Sequence, residues 1–154
     1  MEIAELISPA AVVARLKVGS KKQLLQELAR RAAELCGLGE RQIFDALLER
    51  ERLGSTGMGS GTAIPHARIA GLNRLYGVFA RVAPPVEFDA VDQLPVDLAF
   101  LLLAPEGAGA DFLKALARIS RLLRDRQTCE KLRGTENRDA LFALLTEAPT
   151  SHAA

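Results

Sequence analysis

An apolar run in the second half of the chain, residues 96–104 with the sequence VDLAFLLLA, constrains the fold most. A strand with one face in water alternates apolar and polar residues, whereas this run is apolar almost throughout. It is therefore typical of a central strand that helices cover on both faces. A membrane-spanning helix would need roughly 20 such residues, so the run also argues against membrane insertion.

The helical spacing of leucine and other apolar residues predicts two helices before this strand. Ser20 and Gln23 form a capping-box pattern at the start of the first helix, and Gly37 supplies its stop. The second helix covers residues 40–53 and places Arg50 close to the glycines that follow. The remaining predicted elements are strands at 12–18, 62–67 and 75–82, a possible short edge strand at 86–88, and helices at 111–123, 128–132 and 138–145.

This order of elements predicts a single α/β domain, with a mixed β-sheet of about five strands and helices on both faces. A chain of 154 residues, 49% hydrophobic and 25% charged, has the length and composition of one globular domain. We expect the domain to span residues 1–148. Residues 149–154 are expected to form a flexible tail, in which His152 is incidental.

The charge balance and the cysteines exclude several classes of function. A formal net charge of +1 does not provide the positive field of a nucleic-acid-binding protein. Cys36 and Cys129 have no second cysteine or histidine at ligand spacing, so we expect reduced, structural thiols and no metal or cofactor. The first residues do not resemble a secretory signal, and we expect a cytoplasmic protein.

A glycine-rich segment, residues 54–66 with the sequence GSTGMGSGTAIPH, ends at the only histidine outside the tail, His66. Its four glycines allow the backbone to approach an anion closely, but the spacing fits neither dinucleotide-binding nor P-loop motifs. Pro65 stiffens the approach to His66. The alternative is a flexible connection in which His66 is an ordinary strand residue.

A phosphoryl group on His66 would suit this setting. One ring nitrogen must offer a lone pair while the other keeps its hydrogen and is oriented by an acceptor. The negative charge gained then needs oriented amides, hydroxyls or a cation. The candidates to supply them are Thr56, Gly59, Ser60, Gly61 and Thr62 as phosphate-binding residues, together with Arg50 and Arg68.

Residues 50–66, RERLGSTGMGSGTAIPH, resemble the active-site segment of the fructose/mannitol-type enzyme IIA domains (EIIA type-2) of the bacterial phosphotransferase system. They are most similar to the nitrogen-regulatory branch, and the resemblance covers nearly the whole chain. It implies that His66 receives a phosphoryl group from a phosphohistidine on a small HPr-like (NPr-type) carrier, and that Arg50 helps to hold that group. Without the resemblance, Arg50 reads as an arginine favoured by the helix dipole.

One position departs from the family pattern. The family usually has a second histidine near the start of the long C-terminal helix, where this chain has Phe112. A phenyl ring cannot make the hydrogen bond of an imidazole, so transfer to His66, or the stability of its phosphorylated form, should differ. Asp111 is a candidate orienting acceptor in its place, and the alternative is a carboxylate that only favours the helix N-terminus.

The resemblance implies a phosphoryl carrier rather than an enzyme acting on small molecules. The leading hypothesis is a regulatory protein whose phosphorylation alters its binding to target proteins such as kinases or transport regulators. One alternative is a sugar-specific carrier that passes the phosphoryl group to a cysteine of a IIB partner. Another, suggested by Phe112, is a docking module that is no longer phosphorylated.

Overall fold

The computed structural model describes residues 1–147 and shows one mixed sheet of six strands with helices packed on both faces. The helices are α1 Lys21–Cys36, α2 Glu40–Arg52, α3 Gly109–Arg124, α4 Arg126–Arg133 and α5 Arg138–Thr146. The strands are β1 Val12–Leu16, β2 Gly57–Gly59, β3 Thr62–Ala63, β4 His66–Ile69, β5 Tyr76–Val86 and β6 Val96–Pro105. The predicted tail and His152 lie outside the described residues.

The apolar run forms β6, and β6 lies at the centre of the sheet as predicted. It pairs with β5 in antiparallel register on one side and with β3 and β4 in parallel register on the other. Every residue from 98 to 104 has no exposed surface. Apart from Asp97 near its start, the strand is apolar because helices cover both of its faces.

The helices fall into two groups along the chain. The earlier pair packs together, with α1 contacting β5 and α2 contacting β4, whereas α3 and α4 contact β6 and α5 contacts β1. At the ends of α1, Ser20 Oγ accepts a hydrogen bond from the Gln23 amide, and Gly37 adopts the left-handed conformation. The predicted α/β fold is therefore confirmed: helices pack on both faces of one mixed sheet.

Four local expectations differ from the structure. The Gln23 side chain bonds the Gly19 amide rather than the Ser20 amide, so only half of the capping box forms. Pro65, which has no N–H, separates the predicted strand 62–67 into β3 and β4. The possible edge strand at 86–88 is absent, since Val86 ends β5 opposite Val96. Finally, β2 forms inside the segment that we read as a glycine-rich loop.

Candidate functional site

His66 is the first residue of β4, and the last turn of α2 carries Arg50 to it across sixteen residues of sequence. The Arg50 Nε–H donates a hydrogen bond to His66 Nε2 over 3.3 Å. The same guanidinium donates from Nη1 to the Gly54 carbonyl over 2.9 Å. The imidazole is half-buried and so keeps solvent access. The predicted proximity of the two side chains is therefore present in the fold.

The hydrogen bonds assign separate roles to the two nitrogens of His66. Nδ1 lies 2.7 Å from the carbonyl oxygen of Ile64, which can only accept, so Nδ1 carries the hydrogen. Nε2 then holds the lone pair and receives the hydrogen of Arg50 Nε. The acceptor that orients the ring is thus a backbone carbonyl, and Asp111 does not fill that place. The available nucleophilic nitrogen is Nε2, a choice that the sequence had left open.

The pKa of His66 is lowered from its ordinary value, chiefly because burial disfavours the charged imidazolium. The hydrogen bond to Ile64 acts in the opposite sense, the positive charge of Arg50 lowers the pKa further, and Glu51 raises it. The net lowering favours the neutral imidazole. A neutral ring is required of a phosphoryl acceptor, because protonation of Nε2 would remove its lone pair.

Phe112, which occupies the position of the family's second histidine, lies beside His66. The two ring centroids are 5.7 Å apart, with the ring planes inclined by 55°. The Arg68 guanidinium carbon stands 4.8 Å above the Phe112 ring. Arg68 shares a face of β4 with His66, two residues away, whereas Ala67 and Ile69 face the core. Asp111 is exposed in the first turn of α3.

The four residues Gly59 to Thr62 form the tight turn between β2 and β3, and the structure does not bring this turn to His66. Thr62 pairs with Leu98, whereas His66 pairs with Leu102, a separation of roughly 13 Å along the sheet. The Ser60 amide donates to Asp92 over 2.8 Å, and the Thr62 hydroxyl donates to the Gly59 carbonyl over 3.0 Å. These donors serve the turn itself.

Thr56, at the other end of the segment, also has its donors committed. Its amide donates to Glu51 Oε1 over 3.0 Å, and its hydroxyl donates to Glu51 Oε2. Of the candidate donors, Arg50 alone makes a hydrogen bond to His66 within residues 1–147.

Residues 5–148 match the family model described as the phosphoenolpyruvate-dependent sugar phosphotransferase system, EIIA 2. The chain belongs to this EIIA type-2 family. A relative named nitrogen regulatory protein, from Bradyrhizobium diazoefficiens, is 53% identical over 153 residues, which cover 99% of this chain and 100% of the relative.

Solved structures agree with the EIIA assignment. The crystal structure of nitrogen regulatory protein IIA-Ntr from Neisseria meningitidis has a TM-score of 0.89 at 38% identity, covering 94% of this chain and 99% of that one. IIA mannitol from Escherichia coli has a TM-score of 0.77 at 19% identity, covering 90% and 98%, and shows the shared fold. The family and its nitrogen-regulatory branch, as inferred from residues 50–66, are confirmed.

This EIIA chain also contains site residues that the sequence did not indicate. Glu51 follows Arg50 in α2, yet its side chain is only 5% exposed and pairs with Lys21 Nζ at 3.0 Å. A glutamate in the charged run RER reads as a surface residue, so no local signal marked its burial. The carbonyl of Ile64 was equally hidden, because every residue has one.

Within residues 1–147, no three or more His, Cys, Asp or Glu side chains lie together as a metal site would require. In the same part of this EIIA chain, every helix is too short or too polar to cross a membrane. Cys36 and Cys129 are both free thiols.

Proposed function

We propose that this EIIA type-2 protein is a phosphoryl-accepting regulatory protein of a nitrogen-type phosphotransferase system, phosphorylated on Nε2 of His66 by an HPr-like carrier. The hydrogen bond of 2.7 Å from Nδ1 to the Ile64 carbonyl carries the proposal, because it leaves the lone pair on Nε2. The family assignment supports the same reaction.

In the proposed step, the N–P bond of the carrier's phosphohistidine breaks as an N–P bond forms to Nε2. The carrier imidazole recovers its electron pair, and His66 Nδ1 keeps its hydrogen bond to Ile64 throughout. The Arg50 Nε–H, which bonds the Nε2 lone pair in the free protein, must turn to a phosphoryl oxygen. A guanidinium in this position stabilises the charge on the transferring group, and such transfer depends mainly on positioning and electrostatics.

Regulation would follow from the negative charge that the phosphoryl group adds to a surface with exposed apolar side chains. Leu53, next to the last turn of α2, is 79% exposed, and Leu113, next to Phe112, is 61% exposed. Exposed apolar side chains near a charge switch suit reversible binding of target proteins, for which we propose kinases or transport regulators. The shared name of its relatives, nitrogen regulatory protein, supports this role.

We place the protein in the cytoplasm, where two free thiols, Cys36 and Cys129, are stable without pairing.

The test is label transfer from phosphoenolpyruvate through purified general phosphotransferase components. The wild-type protein and His152→Ala should acquire label, and His66→Ala should not. An unlabelled wild-type protein would favour the docking module that Phe112 suggests. Label that passes onward to a cysteine of a IIB protein would favour the sugar-specific carrier.

A further inference from the structure

A chain of hydrogen bonds leads from a buried ion pair to the Nδ1 side of His66. The Glu51 carboxylate contacts Lys21 Nζ at 3.0 Å and accepts hydrogen bonds from both the amide and the hydroxyl of Thr56. The carbonyl of Thr56 accepts the Ile64 amide over 3.1 Å. The carbonyl of Ile64 then accepts the hydrogen of His66 Nδ1.

Each member of this chain is held from more than one side. The Glu51 side chain is 5% exposed, and a carboxylate so buried needs the three partners that it has. Lys21 is the first residue of α1, and its ammonium also lies 4.5 Å from the centre of the fully buried Phe88 ring. The ion pair that anchors the chain therefore lies against the edge of the core, with the Glu51 side chain nearly buried and the Lys21 side chain 20% exposed.

The last turn of α2 thus controls both nitrogens of the imidazole. Arg50 contacts Nε2 directly, and the next residue, Glu51, reaches Nδ1 through Thr56 and Ile64. Because residue 65 is proline, the peptide group that presents the Ile64 carbonyl has no N–H of its own to anchor it. The Ile64 amide, on the other side of the residue, donates its hydrogen bond to the Thr56 carbonyl and so links the position of Ile64 to Thr56.

We infer that Glu51, held by Lys21, is a positioning residue that fixes the tautomer of His66 through Thr56 and Ile64. Glu51 makes no hydrogen bond to the ring in the structure and takes no part in the bond changes. It keeps the Ile64 carbonyl on Nδ1, and so keeps the lone pair on Nε2. The benefit of this tautomer to phosphoryl transfer rests on the proposed function, but the tautomer itself is present without phosphorylation and can be measured independently.

The test is ¹⁵N NMR of the histidine ring at pH 8, which reports the nitrogen that carries the hydrogen. In the wild-type protein the hydrogen should be on Nδ1. In Glu51→Gln, Lys21→Met and Thr56→Val, the form protonated on Nε2 should rise about three- to tenfold, the loss expected for one weakened hydrogen bond. Thr56→Ser keeps the hydroxyl and should restore the wild-type ratio.

Asp97→Asn is the matched control. It weakens another partly buried ion pair, Asp97 with Arg133 at 2.8 Å, which supports the turn at the far end of the same segment. This variant should lower the melting temperature and leave the tautomer ratio unchanged.

An unchanged ratio in folded Thr56→Val and Lys21→Met would overturn the inference, even if Glu51→Gln fails to fold. The two proposals fail separately. If the wild-type protein takes no label but the ratio shifts in these variants, the proposed function is wrong and the positioning role stands. If the wild-type protein is labelled and the ratio is constant, only the positioning role is lost.

Discussion

Replacement of Arg50 by glutamine should weaken the phosphorylated state of His66. The Arg50 Nε atom lies 3.3 Å from Nε2, so a phosphoryl group on that nitrogen would lie against the guanidinium. Two unit charges about 4 Å apart interact by about 4 kcal/mol at an effective dielectric constant of about 20. Because His66 is half-buried, solvent screens part of this energy, and we take about half, or ~2 kcal/mol.

That energy corresponds to about a 30-fold change in an equilibrium constant. In Arg50→Gln, the equilibrium between phosphorylated carrier and phosphorylated His66 should therefore move about 30-fold toward the carrier. Arg50→Lys keeps the charge, but one ammonium cannot reproduce the paired contacts of the guanidinium with Nε2 and Gly54, so its effect should be intermediate.

The assay mixes phosphorylated carrier with each variant and measures both phosphoproteins at equilibrium by ³¹P NMR. Arg52→Gln is the matched control, since Arg52 lies in the same turn, is 69% exposed and bonds only to Glu49 among the described residues. It should remain within about twofold of the wild-type protein. An equilibrium in Arg50→Gln within threefold of wild type would refute the electrostatic argument.

Three further predictions concern the Phe112 ring, the titration of His66 and the turn between β2 and β3. Phe112→His should speed phosphoryl transfer to or from His66 in at least one direction. The Phe112 ring centroid lies 5.7 Å from that of His66, so an imidazole in its place can donate a hydrogen bond to the phosphoryl group. Unchanged forward and reverse rates would count against this prediction. The folded protein lowers the pKa of His66 below its unfolded value of about 6.5, so the stability that the neutral ring contributes should be complete above that pH and lost as pH falls through the folded pKa. Denaturant unfolding of the wild-type protein and of His66→Gln between pH 5 and 8 should therefore show a difference in the free energy of unfolding that changes with pH. A difference that stays constant would contradict this prediction. Gly61→Ala should lower the free energy of unfolding by about 1–3 kcal/mol without slowing transfer, because φ at Gly61 is +82° and the new Cβ would lie 2.7 Å from Arg133 Nη2. Gly39→Ala is the control, since its new Cβ would meet no atom within 4 Å. Equal stability of the two variants would contradict the prediction that a side chain at Gly61 strains the turn.

Much of the fold could be predicted because its signals are local. The apolar run of β6 indicated a strand covered on both faces, and its residues are fully buried at the sheet centre. Ser20 and Gly37 marked the ends of α1 correctly, since capping depends on residues within one turn. The family resemblance likewise singled out Arg50 and His66, which the fold brings into contact.

The conformation of the glycine-rich segment could not be predicted from local signals. Its composition indicated a phosphate cradle, but long-range partners divide the segment into two parts. The turn at Ser60 is held by Asp92, 32 residues later, and by Arg133, 73 residues later, and it lies away from His66. A glycine permits many backbone conformations, so the sequence could not specify which of them these distant side chains would select.

The amino-acid sequence by itself was enough to predict the fold class, the central strand and the family, and it singled out His66 as the candidate phosphoryl acceptor. Only the tertiary structure decided which nitrogen of His66 is available, because that depends on a backbone carbonyl at Ile64 and a guanidinium at Arg50. It also buried Glu51 beside Lys21. Patterns along a chain report which faces are apolar, whereas the direction of a single hydrogen bond is set when separate elements pack against one another.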